Sequence, residues 1–355
     1  KIVNYLCFAL PIALAFSCTD LEIEPTDSLI SEGFAGVANV QGEVANISNI
    51  IAGGDLGNQD GLYALNEVTT DEYVVATRGT DWGDNGRWLA MHQHTWNADL
   101  QDIRNSWQRL NSITINATRI IDPGSVTTAG GDVTELKAEA RFYRAWAMSW
   151  ILDMWRQVPY RDVNAPNSEI PTVLTGQVAI DSIVADLTIA LRDLPEVTAG
   201  SAIELKQTPT KAAANHLMAK LHLNKHVYLE TVPDNSDMQI VVDAVDAIEA
   251  DGYTLAASGD FFDIFRPSND VETIWWSPAT GPRIWNTLHY NLNFPGSNDG
   301  GGWNGFATLS EFYELFEGNP DTNYVGDGQE ERRGWVPDAE TANADNLGIG
   351  YGFLI

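Results

Sequence analysis

Residues 132–160, DVTELKAEARFYRAWAMSWILDMWRQVPY, form the longest run with a single helical period in this 355-residue chain. Apolar residues recur there at steps of three and four. They are Leu136, Ala140, Tyr143, Ala147, Trp150, Ile151 and Met154. The other face is interrupted by Lys137, Glu139, Arg141 and Arg144. The pattern predicts an amphipathic helix.

The ends of this helix are also marked in the sequence. Asp132 or Thr134 is the expected N-cap, with Glu135 in the first turn. Val158 precedes a proline, which disfavours helical backbone at that residue, so the helix should end there. Three tryptophans in the segment add more apolar area than a lone surface helix can bury. Other helices are therefore expected to pack against this one.

Further helices follow from the same kind of period. They are expected at residues 38–51, 99–121, 175–194, 210–229 and 237–249. Alanines at 212–214 and 219 allow a neighbouring helix to approach closely. No internal repeat of about 34 residues is visible. The sequence predicts a mostly α fold in which helices pack in pairs.

Two segments combine tryptophan with Gly, Asp and Asn. The first is residues 78–97, which holds three tryptophans, at 82, 88 and 96. The second is residues 259–305. An indole face stacks on the C–H face of a sugar ring, and planar polar side chains bond to its hydroxyl groups, so such loops suit sugar recognition. The alternative is that these tryptophans anchor the loops to the helices.

Within the second segment, Trp285, Asn286 and Trp303 are the candidate ligand contacts. Trp275 and Trp276 lie in a short apolar run, which predicts a buried strand instead.

The beginning of the chain is typical of a secretory signal. Lys1 is followed by an uncharged apolar stretch to Phe16 and then by Ser17 and Cys18. The stretch is too short to span a bilayer, and the alternative is a buried N-terminal helix. We expect residues 1–17 to be removed and Cys18 to carry lipid. Since Cys7 leaves with the signal, no cysteine remains for a disulfide, a nucleophile or a metal site.

The formal net charge of −29 limits the possible partners. A chain with 49 acidic and 20 basic residues repels nucleic acid and other anionic polymers. A neutral or cationic ligand is expected, although acidity can also serve solubility alone.

Motifs for metal or cofactor chemistry are incomplete. Residues 300–305 fit G-x-G-x-x-G but follow a loop, where a nucleotide fold needs a strand. His222 and His226 are four residues apart, but no glutamate follows His222 as in zinc proteases. Residues 321–332 resemble a calcium loop, but Val325 and Arg332 stand at ligand positions. We expect neither metal nor cofactor.

Residues 138–160 closely resemble a hallmark segment of the SusD/RagB family, an A-E-A-R-F-x-R-A helix followed by G-x-V-P-Y. Gln157 stands at the glycine of that ending. The T-x-D-E turn at 69–72, the segment WNGFATLSEFYELFE at 303–317 and the Glu-Arg-Arg at 331–333 are also similar to the family. The resemblance covers most of residues 18–335.

The resemblance implies tetratricopeptide-like helical hairpins that form a scaffold, with long irregular aromatic-rich loops and few short strands. It implies a helical-repeat region at residues 18–250. Residues 251–355 would begin the family's C-terminal region, which we expect to be incomplete here.

The resemblance also implies a function: a lipoprotein of the Bacteroidetes outer membrane, exposed at the cell surface, that captures oligo- or polysaccharide without catalysis. The glycan would pass to a SusC-like TonB-dependent transporter. The family's glycan platform corresponds to Asp81, Trp82, Asn85 and Trp88, and Arg78 is added as a hydrogen-bond donor.

Two alternatives remain open. A secreted glycoside hydrolase needs two carboxylates, and among 49 acidic residues nothing singles out one pair. A helical-repeat scaffold that binds only proteins is the other.

Overall fold

The computed structural model describes residues 36–53, 56, 61–77, 79–165, 169–257, 270–277 and 305–316. Helices dominate this part of the chain, and each of its strands is three residues long. The mostly α fold predicted from the apolar periods is confirmed.

Five of the helices were predicted outside the hallmark segment, and their ends lie within two residues of the predicted ones. The α-helices are α1 Val40–Ala52, α2 Leu62–Glu67, α3 Arg87–His92, α4 Gln101–Ile121, α5 Thr134–Trp155, α6 Gly176–Asp193, α7 Lys211–Tyr228, α8 Asn235–Ala250 and α9 Ser310–Tyr313. Short 3₁₀ helices occur at Asp84–Gly86 and Ile203–Lys206.

The strands form two antiparallel pairs. β1 (Tyr73–Val75) pairs with β4 (Phe306–Thr308), with Tyr73 opposite Thr308. β2 (Val158–Tyr160) pairs with β3 (Thr172–Leu174). The hallmark segment therefore ends as a strand, and its helix stops earlier than predicted, at Trp155. The predicted strand at Trp275 and Trp276 is wrong, because that segment has no regular secondary structure and is half-buried.

The two ends of α5 differ from prediction in detail. Val133 occupies the N-cap position, and the Asp132 carboxylate accepts from the backbone N–H of Thr134 at 2.9 Å. At the other end, Arg156 has a left-handed backbone with φ of 59° and donates its N–H to the Leu152 carbonyl. A left-handed residue just after a helix is usually glycine. Counted back from Val158, the glycine of G-x-V-P-Y falls on Arg156, so its assignment to Gln157 was wrong.

Consecutive helices pack on one another from α4 to α8, as expected for helical hairpins. The main core forms where α5 meets α1, α4, α6 and α7. Residues beyond 250 also take part in apolar packing, since Phe306 and Tyr253 are buried in two smaller clusters beside the main core. The division of the chain at residue 250 stays a prediction.

A buried ion pair lies inside this helical core. Arg144 of α5 is 3% exposed and Asp186 of α6 is 1% exposed. Two nitrogens of Arg144 donate to the two carboxylate oxygens at 2.6 and 2.8 Å. A third donates to Thr118 of α4 at 3.2 Å, and Arg141 donates to Asp186 at 2.7 Å. One carboxylate thus joins α5 to α6, and Arg144 extends the contact to α4.

Glu139 is the second charged residue of the hallmark helix that lies inside the core. Its carboxylate accepts from the Tyr143 hydroxyl at 3.0 Å, and that hydroxyl lies 2.8 Å from Ser48 of α1. Burial raises the pKa of Glu139 to about 7. Placing Glu139 and Arg144 on the outer face of an amphipathic helix was wrong, because neighbouring helices cover α5 on nearly all sides.

The pair α7 and α8 is joined by a smaller polar contact. Asp237 of α8 lies 2.8 Å from His222 and 2.8 Å from Lys225, both on α7. The role of His222 is therefore to bind a carboxylate of the next helix. No group of three or more His, Cys, Asp and Glu side chains in the described part could hold a metal ion. Among the described helices, none has the length and apolar character needed to cross a membrane.

We expect Asp186→Asn to lower the free energy of unfolding by about 3 to 5 kcal/mol. The reason is that the guanidinium groups of Arg141 and Arg144 lose their common negatively charged partner inside the core. Urea denaturation measures the change. Asp193→Asn is the matched control on the same helix, since Asp193 pairs with the exposed Arg192 and should matter little. Equal effects of the two variants would contradict a stabilising role for the buried pair.

The raised pKa of Glu139 gives a pH dependence of stability. The folded chain holds this proton more tightly than the unfolded chain. The stability due to protonated Glu139 is complete below its ordinary pKa and is lost as pH rises through about 7. Glu139→Gln should therefore raise the free energy of unfolding at pH 8 by up to about 3 kcal/mol, with little gain at pH 4. Denaturation at both pH values tests this, and an equal gain at pH 4 and pH 8 would show that ionisation is not the cause.

Candidate functional site

Five aromatic rings meet beside the main core, and we call them the aromatic cluster. They are Tyr63 of α2, Tyr73 of β1, Trp82, Trp88 of α3 and Phe306 of β4. Phe306 is 1% exposed and lies at the centre, 5.4 Å from Trp88, 6.0 Å from Tyr63 and 6.2 Å from Trp82 between ring centroids. The pairing of β1 with β4 brings Phe306 to this place. Met154 of α5 packs against both the aromatic cluster and the main core.

Trp82 lies in a loop, residues 79–86, with an unusual backbone. Trp82, Asp84 and Asn85 have φ of 57°, 36° and 55°, and Gly86 has 80°. Left-handed backbone at residues other than glycine is uncommon and stores strain, so surrounding contacts must hold it. Asp84 accepts from the indole N–H of Trp88 at 2.5 Å, which joins the loop to α3.

The indole ring of Trp82 lies directly against the backbone of Gly305. A Cβ atom added to Gly305 would come within 2.3 Å of the Trp82 ring. Only glycine therefore leaves room for Trp82 in this position. Its ring also contacts Trp88 at 5.7 Å between centroids, yet the side chain is only half-buried. Trp82 is therefore not fully enclosed by its neighbours.

Trp88 has a different role from the predicted one. Its side chain is 1% exposed, and the Arg87 guanidinium lies 4.1 Å above its ring. A ring covered in this way cannot stack on a ligand. The burial of Trp88 contradicts its predicted contact with a glycan. Trp88 instead packs against Trp82 and supports it.

The structure brings three of the predicted contacts together on one loop. Trp82 is half-buried, and Asp81 and Asn85 are exposed on either side of it in the sequence. Apart from the buried Trp88, the remaining predicted contacts lie outside the described residues, as does the predicted lipid site; these residues are Arg78, Trp285, Asn286, Trp303 and Cys18. Trp303 is two residues before Gly305 in the sequence.

Trp96 is an exposed aromatic residue of the first tryptophan-rich segment that was not among the predicted glycan contacts. It is 40% exposed, and its ring stands edge-on to His94 at 5.2 Å between centroids. A ring nitrogen of His94 lies 2.8 Å from the carbonyl oxygen of Thr69, ahead of β1. The same loop composition surrounds Trp88 and Trp96, so composition alone could not show which ring faces outward.

Trp275 and Trp276 hydrogen-bond to the helical scaffold and are not candidate ligand contacts. Their indole N–H groups donate to the carbonyls of Gln207 at 3.2 Å and Ile203 at 2.9 Å. They tie residues 270–277 to the 3₁₀ helix at Ile203–Lys206 and the residue after it.

A SusD-like family model described as "Starch-binding associating with outer membrane" matches residues 21–223, more than half of the chain. The chain belongs to the SusD-like family. The recognition of the SusD/RagB family from residues 138–160 is thereby confirmed. No curated protein matches this SusD-like chain.

Solved structures of SusD-like and surface glycan-binding proteins share the fold. A surface glycan-binding protein A from Bacteroides thetaiotaomicron, in complex with laminarihexaose, is 16% identical with a TM-score of 0.59, over 88% of this chain and 74% of that one. The protein of that name from Bacteroides fluxus is 18% identical with a TM-score of 0.58, over 79% and 62%.

A SusD-like protein from Bacteroides fragilis is 18% identical with a TM-score of 0.59, over 78% of this chain and 52% of that one. The chain spans 60%, 62% and 52% of the length of the first three similar structures. At this low sequence identity, the structural similarity establishes a shared fold.

We expect Gly305→Ala to displace the Trp82 ring, since the new methyl group would overlap it. Acrylamide quenching of tryptophan fluorescence should increase, and stability should fall by about 1 to 3 kcal/mol. Gly200→Ala is the control, because a Cβ atom there meets nothing within 4 Å. Unchanged quenching in Gly305→Ala would refute the close contact.

Proposed function

We propose that this SusD-like chain is a cell-surface receptor that binds oligo- or polysaccharide through the loop at residues 79–86. The observation that carries the proposal is the half-exposed Trp82 between the exposed Asp81 and Asn85, in a chain of this family. A flat apolar ring bordered by hydrogen-bonding groups matches the alternating apolar and polar surfaces of a sugar.

The proposed receptor binds its glycan without catalysing a reaction. The open part of the Trp82 indole stacks on a sugar ring, and Asp81 and Asn85 bond to its hydroxyl groups. Arg78, Trp285, Asn286 and Trp303 are proposed as further contacts. Trp88 serves only as support beneath Trp82. Among the similar structures, one is a complex with laminarihexaose and another is described as a laminarin-binding SusD-like protein.

The net charge of −29 favours neutral glycans over acidic ones, because a polymer lying on the protein surface meets the field of many carboxylates.

The cellular setting is part of the proposal. Cys18 would carry the lipid that holds the protein at the outer membrane, and a SusC-like TonB-dependent transporter would receive the glycan. Support comes from the signal-like residues 1–17 and from the family description, which includes association with the outer membrane.

The scaffold alternative predicts a different exposure of the protein. Treatment of intact cells with protease should degrade a surface receptor. Survival of the protein would favour a scaffold that faces the periplasm, and surface capture of glycan would then be wrong.

The hydrolase alternative has one observation in its favour. Burial raises the pKa of Glu67, beside the aromatic cluster, and the carboxylate of Glu72 raises it further. Raised carboxyl pKa values are typical of general acids. Incubation with oligosaccharides followed by an assay for reducing ends separates the two functions. Turnover that is lost in Glu67→Gln would support an enzyme, and stable binding without cleavage would support the receptor.

We expect Trp82→Ala to weaken glycan binding by about 1 to 3 kcal/mol, or about 5- to 150-fold in Kd, while the fold is kept. A glycan array first identifies the ligand, and isothermal titration calorimetry then measures its affinity. Trp146→Ala is the matched control, because Trp146 is also half-buried but packs against Trp150 and Trp275 in the scaffold. Unchanged affinity in Trp82→Ala would place this tryptophan in the core alone.

A further inference from the structure

The side chain of Arg87, at the start of α3, lies between two carboxylates from different parts of the fold. Its Nε atom is 3.9 Å from Oδ2 of Asp84, which belongs to the loop at residues 79–86. Its Nη1 atom is 3.8 Å from Oδ2 of Asp102, in the first turn of α4. Both distances are within the range of an ion pair. Arg87 therefore links the loop that carries Trp82 to a helix of the scaffold.

The Asp102 end of this link lies inside the protein. Asp102 is 0% exposed, and the neighbouring Leu100 and Ile103 pack against the aromatic cluster. The dipole of α4 favours a negative charge in its first turn. A buried carboxylate depends on its charged partner much more than a surface carboxylate does. The N-terminus of α4 thus gives Arg87 a fixed partner outside the loop.

The other end of the link is the part of the loop where the backbone is strained. Asp84 has a φ of 36°, and its Oδ2 atom also accepts from the indole N–H of Trp88 at 2.5 Å. Arg87 lies 4.1 Å above the centroid of the Trp88 ring, where the aromatic face attracts a cation. Trp88 in turn packs against Trp82. One side chain thus contacts both the loop and the ring that supports Trp82.

Arg87 is poorly placed to bind a ligand itself. Its side chain is 16% exposed, and one face of its guanidinium group lies over Trp88. A planar guanidinium group can direct separate N–H groups at two carboxylates while it stacks on an aromatic ring. The geometry therefore suits a residue that acts on the site through the loop.

We propose that Arg87 is a positioning residue of the glycan site, which holds the loop at residues 79–86 against α4 in the conformation that presents Trp82. Asp102 is its fixed partner. A loop held in its binding conformation loses less entropy when the ligand arrives. The effect on affinity rests on the proposed function, whereas the effect on the loop can be measured without any glycan.

Hydrogen exchange measured by mass spectrometry tests the loop in the absence of glycan. The backbone N–H of Gly86 donates to the carbonyl of Gly83 at 2.6 Å, and that of Arg87 donates to the carbonyl of Asp84. Exchange at these two amides reports how often the loop opens. We expect Arg87→Gln and Asp102→Asn each to accelerate it by about tenfold.

Arg192→Gln is the matched control for this measurement. It also removes one arginine from an ion pair with an aspartate, but that pair is on α6 and Arg192 is exposed. Exchange in the loop should be the same as in the parent chain.

A double-mutant cycle tests whether Arg87 acts through Trp82. Isothermal titration calorimetry measures the affinity for the glycan that the array identifies. Arg87→Gln should weaken binding by about fivefold in the parent chain, and by much less when Trp82→Ala is already present. Asp102→Asn should give the same pattern. A general loss of stability would lower the affinity equally in both backgrounds, so the cycle separates positioning from support of the fold.

Two results would overturn the proposal. One is unchanged exchange at the two amides in Arg87→Gln and Asp102→Asn. The other is an equal loss of affinity with and without Trp82→Ala, since Arg87 would then contact the glycan directly or support only the fold. If Trp82→Ala does not change the affinity, the proposed glycan site is wrong, and hydrogen exchange still decides whether Arg87 holds the loop. The two failures are therefore distinguished.

Discussion

The pairing of Arg144 with Asp186 sets how the central helices fit together. Charges inside a core are tolerated only when their partners are placed correctly, and one unpaired group costs several kcal/mol. Arg144 reaches Asp186 on α6 and Thr118 on α4 with different nitrogens of one rigid group. A shift of α5 by one residue would break both contacts. The apolar residues supply most of the driving force, and these polar contacts select one arrangement among the many that apolar packing alone would allow.

Because these contacts fix its position, α5 supports the candidate glycan site. Met154 of α5 packs against the aromatic cluster, which in turn carries Trp82. The left-handed backbone of the loop costs energy that the burial of Trp88 and its bond to Asp84 offset. A loop held in one conformation before the ligand arrives loses little entropy on binding. Gly305 also contributes, because it has no side chain and so leaves the space that the Trp82 indole occupies.

The sequence predicted the helices well because apolar period, proline and glycine are local signals. It misplaced Glu139 and Arg144, since a period shows which residues share a face but not how many helices surround it. The pairing of β1 with β4 joins segments far apart in the chain, and no local pattern indicates it. Trp88 was expected to face a ligand and is buried, which depends on that same long-range contact. The predicted roles of Asp81, Trp82 and Asn85 remain predictions, now with a defined geometry.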